Sequence, residues 1–305
     1  MSIVVLGSVF VDVKGYPTGN YIPCGRNAGT VRYVHGGVSR NIAEDLGNLE
    51  LNPVFLSLVD ETGVGQDVLS KLCRHGVDTR YVRKVPDGMG TWLAVFDNQN
   101  DVCASISQRP DLTPLLDVLA EHGEEIFSRA DSILLELDMD KEIIREVFRL
   151  SERYGCPVYA AVSNISIMMD RRDFVQRVGC FVCNRQEAET LFSDEFDSRE
   201  PEVLARQLAS QVAAAGISSM VVTLGAAGAV WAEASGRYGF CPAWEVAVAD
   251  TTGAGDAFFS GVAAGLTHGK TLAEACDIGT RLAASVICTQ DNTCPRFRPE
   301  EFGLR

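Results

Sequence analysis

The sequence predicts an α/β fold: a three-layer α/β/α sandwich around a mostly parallel sheet, with a small β-sheet flap outside it. Two observations carry this. Short apolar runs alternate with amphipathic helical patterns along most of the chain, the signature of parallel strands with covering helices. Two segments, about 13–35 and 88–109, break that alternation and read as paired strands instead.

The first strand is Ile3–Gly7, and its repeats are Pro53–Val59, Ser132–Leu137, Pro157–Ala161, Cys180–Cys183 and Ser219–Leu224. Between them lie helical patterns at Ser39–Leu49, Gly63–His75, Lys141–Tyr154, Arg185–Phe192 and Glu200–Ala215. In the last third, Ala254, Ala257, Phe258, Gly261, Val262, Gly265 and Leu266 recur at helical spacing, so a helix starts at Gly253. A second helix follows over Leu272–Cys288. Val13–His35 is rich in Gly, Pro and Asn and ends in the alternating run Thr30–Val34. Gly90–Gln108 reads as a hairpin around Asp97–Asn100. Trp92, Ala94 and Phe96 alternate with Thr91, Leu93 and Val95, so both hairpin faces are apolar and both need cover. A second subunit supplying one cover and an edge extension of the main sheet are the two readings.

Composition excludes several partners. The formal net charge is −14, whereas nucleic acid and anionic membranes select basic patches. No apolar stretch is long enough to span a bilayer. Met1–Gly7 lacks the basic region of a signal peptide. The ten cysteines include one C-x-x-C pair, Cys180 and Cys183, separated by Phe181 and Val182. That pair sits within a strand, so the reading is buried free thiols in a reducing, cytoplasmic setting.

The chemistry concentrates in Asp250-Thr251-Thr252-Gly253-Ala254-Gly255-Asp256. This is a glycine-rich turn at a helix start, where backbone N–H groups bind anions. Glycine lets a phosphate approach the backbone closely. An acid beside such a site makes sense if it takes a proton from a group attacking the phosphate. The pattern suggests phosphoryl transfer to a hydroxyl. Val222–Ala229 ends an apolar strand with glycines, where open α/β sheets bind ligands. Asn184-Arg185-Gln186-Glu187 is a helix N-cap with an acid in the first turn, and the same pair suits water-mediated Mg²⁺ beside phosphates. Asp12, Gly36, Gly37 and Asn41 combine a carboxylate, an amide and glycine backbone, a set that suits a polyhydroxylated ligand or plain capping.

Taken together, these residues resemble the ribokinase-like (PfkB) carbohydrate and nucleoside kinases. The likeness runs through Gly7-Ser8 and Asp12, Gly36-Gly37 to Asn41, Asn184 to Glu187, Thr223-Leu224-Gly225, and Asp250–Asp256. It implies one ribokinase-like domain over 1–305 whose flap is a lid that closes over the sugar and forms a homodimer contact. It also implies that Asp256 is the catalytic base and that Gly253, Ala254 and Gly255 form the anion hole. Asn184 and Glu187 would organise Mg²⁺ and phosphates, and Thr223, Gly225 and Gly228 would line the ATP groove. Asp12, Gly36, Gly37 and Asn41 would hold the acceptor. Backbone oxygens of Asp250, Thr252, Ile287, Gln290 and Asn292 would hold a monovalent cation such as K⁺. Asn292 stands where ribokinases usually have glycine.

Within the family, whole phrases resemble pseudouridine kinases: Gly7-Ser8 to Asp12-Val13 with Gly15-Tyr16, Gly36–Ala43, Asn184–Leu191, and the lid turn Leu93–Asn98. The implied reaction is ATP-dependent phosphorylation of pseudouridine to its 5′-phosphate. A free sugar or another nucleoside is the alternative acceptor. The chain departs from that pattern after Ala161, where an Asp-Pro is usual and Val162-Ser163 stands, and at Ser107-Gln108-Arg109-Pro110. Arg109 there reads as a solvated hinge residue. A non-catalytic sensor on the same fold would be expected to lose part of the Asp256, Gly253–Gly255 and Asn184/Glu187 set, which is intact. A dinucleotide-dependent oxidoreductase lacks its G-x-G-x-x-G after the first strand.

Overall fold

Two separate sheets organise the computed structural model, which describes residues 1–99 and 101–304. The chain opens with β1 (Ile3–Leu6), β2 (Phe10–Pro17) and β3 (Gly29–Gly36), then α1 (Val38–Asn48). Next come β4 (Val54–Val59), α2 (Gly63–Arg74), β5 (Asp78–Lys84) and the hairpin β6 (Gly90–Phe96) and β7 (Val102–Gln108). The middle holds α3 (Leu115–Phe127), β8 (Ser132–Glu136), α4 (Lys141–Tyr154), β9 (Val158–Ala161) and the short α5 (Ile165–Met168) and α6 (Arg172–Val175). It continues with β10 (Cys180–Asn184), α7 (Arg185–Phe192), α8 (Pro201–Ala215), β11 (Ser219–Thr223), β12 (Ala229–Glu233) and β13 (Tyr238–Cys241). Helices α9 (Ala254–Thr267) and α10 (Leu272–Ile287) follow.

The large sheet has the order β13-β12-β11-β10-β9-β8-β1-β4-β5. It is parallel from β5 to β11, and β12 and β13 add antiparallel at one edge. Helices cover both faces, which is why β1 and the Ile133–Leu135 centre of β8 are apolar and both strands are buried throughout. Alternation along β1 divides the core. Ile3 and Val5 pack with Ile42, Leu46, Phe259 and Leu282 from α1, α9 and α10. Val4 and Leu6 pack on the other side with Leu119, Phe127, Ile143 and Phe148 from α3 and α4. No helix among the described residues is long and apolar enough to cross a membrane.

The small sheet has the order β3-β2-β6-β7 and is separate from the large one, not an edge extension of it. Asp97 fixes its hairpin turn by accepting from the Gln99 and Asp101 amides, both within 2.9 Å; Asn100 of that turn lies outside the described residues. Register puts Asp12 beside Trp92 on one face, and Val13 beside Leu93 and Tyr33 on the other. The first face is turned to the large sheet. On the second, Tyr33 is 73% exposed, Ile106 70% and Val31 60%. Val13, at the root of the second face, packs against the core, and the outer part of that face is exposed.

Five elements have no counterpart in the sequence reading: β5, α3, the short α5 and α6, and the edge strand β13. The α3 signal is present as Leu115, Val118, Leu119, Ile126 and Phe127 on one face, all buried. Strand β5 is charged at both ends and only half-buried, as an edge strand can be. The ten cysteines are free, as expected, but four of them (Cys24, Cys73, Cys103 and Cys288) are exposed, which corrects the expectation of buried thiols.

Candidate active site

The Asp250–Asp256 turn forms as the glycine spacing requires. The Asp250 carboxylate accepts from the Thr252 amide at 2.8 Å, tightening the turn. Gly253 then adopts φ +83° and caps α9, and its carbonyl accepts from the Ala257 amide at 2.9 Å. A methyl on Gly253 would meet the Asn292 carbonyl oxygen at 2.1 Å, so this position is glycine for two independent reasons. The turn leaves the first-turn amides of α9 at the end of a fourteen-residue helix, with Asp256 among them.

Asp256 meets the neighbouring helix α1 on the same face of the sheet. Its Oδ2 accepts from Asn41 Nδ2 at 2.6 Å. Burial pushes the Asp256 carboxyl up to about 6; the Asn41 hydrogen bond and Arg40 oppose the rise, and Asp12 adds to it. Asp12 is itself raised by burial, against Lys14 and Arg40. Gly36 and Gly37 are needed where they stand. A side chain at Gly36 would run into the Asp12 carboxylate at 2.6 Å, and Gly37 has φ +96° against the Ser8 carbonyl. Asp12, Gly37, Asn41 and Asp256 line one cavity of about 490 Å³, within the usual range for small-molecule sites. Phe10, Trp92, Ser107 and Arg109 form its flap side, and Ser8, Ser163 and Asn164 complete it.

Sequence reasoning assigned Arg109 to solvent, and the structure corrects this. It lines the cavity and donates to the buried Asp138 carboxylate at 2.8 Å and to the Asp138 carbonyl at 3.2 Å. Ser163, where the family pattern has an acid or proline, donates to the same carboxylate at 2.7 Å. The cation on the flap exit and the acid beyond β8 complement each other.

The remaining candidate residues gather at the carboxyl ends of β10 and β11. Asn184 and Thr223 are neighbours in register. Asn184 and Glu187 make a reciprocal capping box: the Glu187 amide donates to Asn184 Oδ1 at 2.9 Å, and the Asn184 amide to Glu187 Oε2 at 2.8 Å. Burial raises the Glu187 carboxyl, the Asn184 amide opposes this, and nearby Asp138 adds to it. Asp138 thus lies near Glu187 as well as holding the cavity-lining Arg109 and Ser163. Gly225 and Gly228 take φ +60° and +108° in the turn between β11 and β12. The cation candidates lie in two adjoining stretches, because the Ala249 amide donates to the Ile287 carbonyl at 2.8 Å. Gln290 is exposed, whereas Asn292 is buried with its side chain turned to Asn41 and His35.

Several supporting groups were not singled out from sequence. Arg40 is fully buried; it pairs with Glu44 at 2.6 Å and donates to the His35 carbonyl, fixing a positive charge beneath the glycine pair. Lys71 also reaches Glu44, at 2.9 Å. Asp45 accepts from the Cys294 amide at 2.7 Å and is pushed up to about 8 by burial. Glu136 accepts from the Ser39 amide and from Ser8, tying β8 to the start of α1, and burial raises its carboxyl. Glu136 and Asp138 were visible only as acids at the end of an apolar run.

Residues 1–296 match the pfkB family carbohydrate kinases. The chain belongs to the PfkB family. It is an ATP-dependent phosphotransferase that acts on a hydroxyl of a sugar or nucleoside. It is 32% identical over 292 residues to a guanosine-inosine kinase of Exiguobacterium acetylicum, covering 95% of each chain. To the pseudouridine kinase of Escherichia coli it is 28% identical, covering 89% of this chain and 86% of that one. Among solved structures, Arabidopsis thaliana ribokinase complexed with ribose and ATP superposes with a TM-score of 0.81 at 19% identity, covering 98% of this chain and 97% of that one. This PfkB kinase thus shares more identity with a purine nucleoside kinase than with the pseudouridine enzyme its motifs suggested.

Proposed function

We propose that this kinase transfers the γ-phosphoryl group of ATP to the 5′-hydroxyl of a ribonucleoside. The observation that carries the reading is the pairing of Asp12 with Trp92 on one face of the small sheet. A carboxylate suited to sugar hydroxyls stands one strand away from an aromatic plane suited to a base, in the same cavity. A free sugar is too small to use the ring planes of Trp92 and Phe10 as well as the Asp12 carboxylate.

In this reading Asp12 and the Gly36-Gly37 backbone hold the ribose. Asn41 holds Asp256, which takes the proton of the attacking hydroxyl. A carboxylate raised to about 6 is a stronger base than a free one and is still ionised at neutral pH. The amides of Gly253, Ala254 and Gly255 receive the developing charge on the transferred group. ATP supplies that group, with Thr223, Gly225 and Gly228 along its groove. Glu187 has one carboxylate oxygen engaged by the Asn184 amide and a second to offer a water of Mg²⁺. Among the described residues no cluster of three or more His, Cys, Asp or Glu side chains could hold a metal, so most of the Mg²⁺ ligands would come from water and phosphates. A K⁺ ion would take backbone oxygens of Asp250, Thr252, Ile287, Gln290 and Asn292, carbonyl oxygen being the donor that ion favours. The exposed outer face of the flap is the proposed homodimer contact.

Guanosine and inosine are the leading acceptors on overall identity, and pseudouridine is the second reading on its motif likeness. The test is ADP release with Mg²⁺, K⁺ and ATP across guanosine, inosine, pseudouridine, uridine, ribose and fructose, with products identified by mass spectrometry. A nucleoside 5′-phosphate formed with kcat/KM at least tenfold above ribose is expected. Preference for a free sugar, or no turnover of any nucleoside, overturns the proposal.

A further inference from the structure

Asn292 lies after α10 with its side chain buried. Its Nδ2 donates to the His35 carbonyl at 2.8 Å and to Asn41 Oδ1 at 3.2 Å. The other end of the Asn41 carboxamide, Nδ2, donates to Asp256 Oδ2 at 2.6 Å. Four groups from distant parts of the chain therefore form one row: the end of β3, the segment after α10, α1 and α9.

The chemistry of the two ends dictates the direction of every bond in that row. A peptide carbonyl and an ionised carboxylate only accept. The Asn292 NH₂ must therefore face His35, and the Asn41 NH₂ must face Asp256. That leaves Asn41 Oδ1 needing a donor, which the second Asn292 N–H supplies. Without it the Asn41 amide has less to oppose a flip, and a flipped amide would set oxygen against the carboxylate.

We propose that Asn292 is a positioning residue for the Asp256 base: it locks the Asn41 carboxamide with its NH₂ toward Asp256 and so keeps that carboxylate turned to the acceptor hydroxyl. This rests on the reading of Asp256 as general base given above. The His35 contact ties the root of the flap to the same amide. The other charged groups facing Asp256 are Asp12 from β2 and Arg40 and Asp45 from α1, and none of them touches the Asn41 amide oxygen in place of Asn292.

The test follows the Asp256 carboxyl by ¹³C NMR titration of the ligand-free protein, with Asp256→Asn as the assignment control. Two variants remove the donor: Asn292→Ala, and Asn292→Leu, which keeps the volume. Wild type should titrate near 6. Each variant should titrate about one pH unit higher, the shift expected for loss of one oriented hydrogen bond to the charged form. The acidic limb of kcat should move with it, so that kcat measured at pH 5 falls about tenfold, with KM for ATP within twofold of wild type. In an Asn41→Ala background, Asn292→Ala should add no further shift. An unmoved midpoint in whichever variant folds, or an equal extra shift in the Asn41→Ala background, overturns the proposal. The titration needs no acceptor, so failure of the nucleoside assay would strike the proposed function and leave this result standing.

Discussion

Replacing Gly253 by alanine attacks the proposed anion cradle at its most constrained atom. The residue has φ +83°, a conformation that costs a non-glycine residue roughly 1–2 kcal/mol. The added methyl would also sit 2.1 Å from the Asn292 carbonyl oxygen, where ordinary contact begins at 3.4 Å. Relief therefore takes a relative movement of 1.3 Å, the difference of those two distances, between the start of α9 and the segment after α10. A misplacement of about 1 Å costs on the order of 10²-fold in rate for an oriented reaction. The expected outcome is a kcat about 100-fold below wild type, with a melting temperature lower by about 3 °C for a strain of about 2 kcal/mol. Gly255→Ala is the internal control. A methyl there meets nothing within 4 Å, so its melting temperature should equal or slightly exceed that of wild type. Steady-state ADP release and calorimetry on the two variants decide the matter. A Gly253→Ala protein that melts like wild type and keeps kcat within twofold would refute the cradle geometry.

Burial raises Asp45 to about 8 from 3.8, so the folded state binds its proton more tightly than the unfolded chain does. Stability should therefore fall as pH rises from about 4 to about 8, by up to about 1.4 kcal/mol per pH unit from this group. Urea midpoints at pH 5 and pH 8 should show a smaller loss in Asp45→Asn, and an unchanged slope would count against the assignment. Arg109→Ala should raise KM for the nucleoside about tenfold while KM for ATP stays within twofold, through loss of a charge-assisted contact worth about 1.5–3 kcal/mol. An unaltered nucleoside KM would return Arg109 to a purely structural role with Asp138. Ile106→Glu puts a charge on the exposed flap face and should convert a dimer to a monomer in sedimentation velocity. A wild-type monomer would remove the proposed contact.

Much of the site was legible because its residues sit in local phrases. The glycines of Gly36-Gly37 and Gly253–Gly255, and the capping box Asn184/Glu187, are fixed by backbone geometry within a few residues. Asp256 was legible for the same reason. What supports it was not. The Glu44–Lys71 pair and the Asn41–Asn292 contact join segments as far as 251 residues apart, and no local pattern encodes such a meeting. Arg109 was misread because a cation after a hairpin is usually solvated; its partner Asp138 comes from another strand end. The fold followed from alternating periodicity; β5 escaped because an edge strand tolerates polar residues, and the edge strand β13 because a run of four residues is too short to read. The flap was legible as two apolar faces, but only its register shows which of them meets the site. Acceptor identity is the least local property, since it depends on how Phe10, Trp92, Ser107 and Arg109 converge.

The proposed reaction hinges on Asp256 as the base, and Asp256→Asn tests that most directly because it keeps the shape and the Asn41 neighbour but cannot take a proton. Measured with the best nucleoside acceptor at pH 7.5, kcat should fall by about 10²–10⁴, the usual worth of such a group, while the Kd for MgATP stays within threefold. A fall of less than about tenfold, with ATP binding intact, would contradict it.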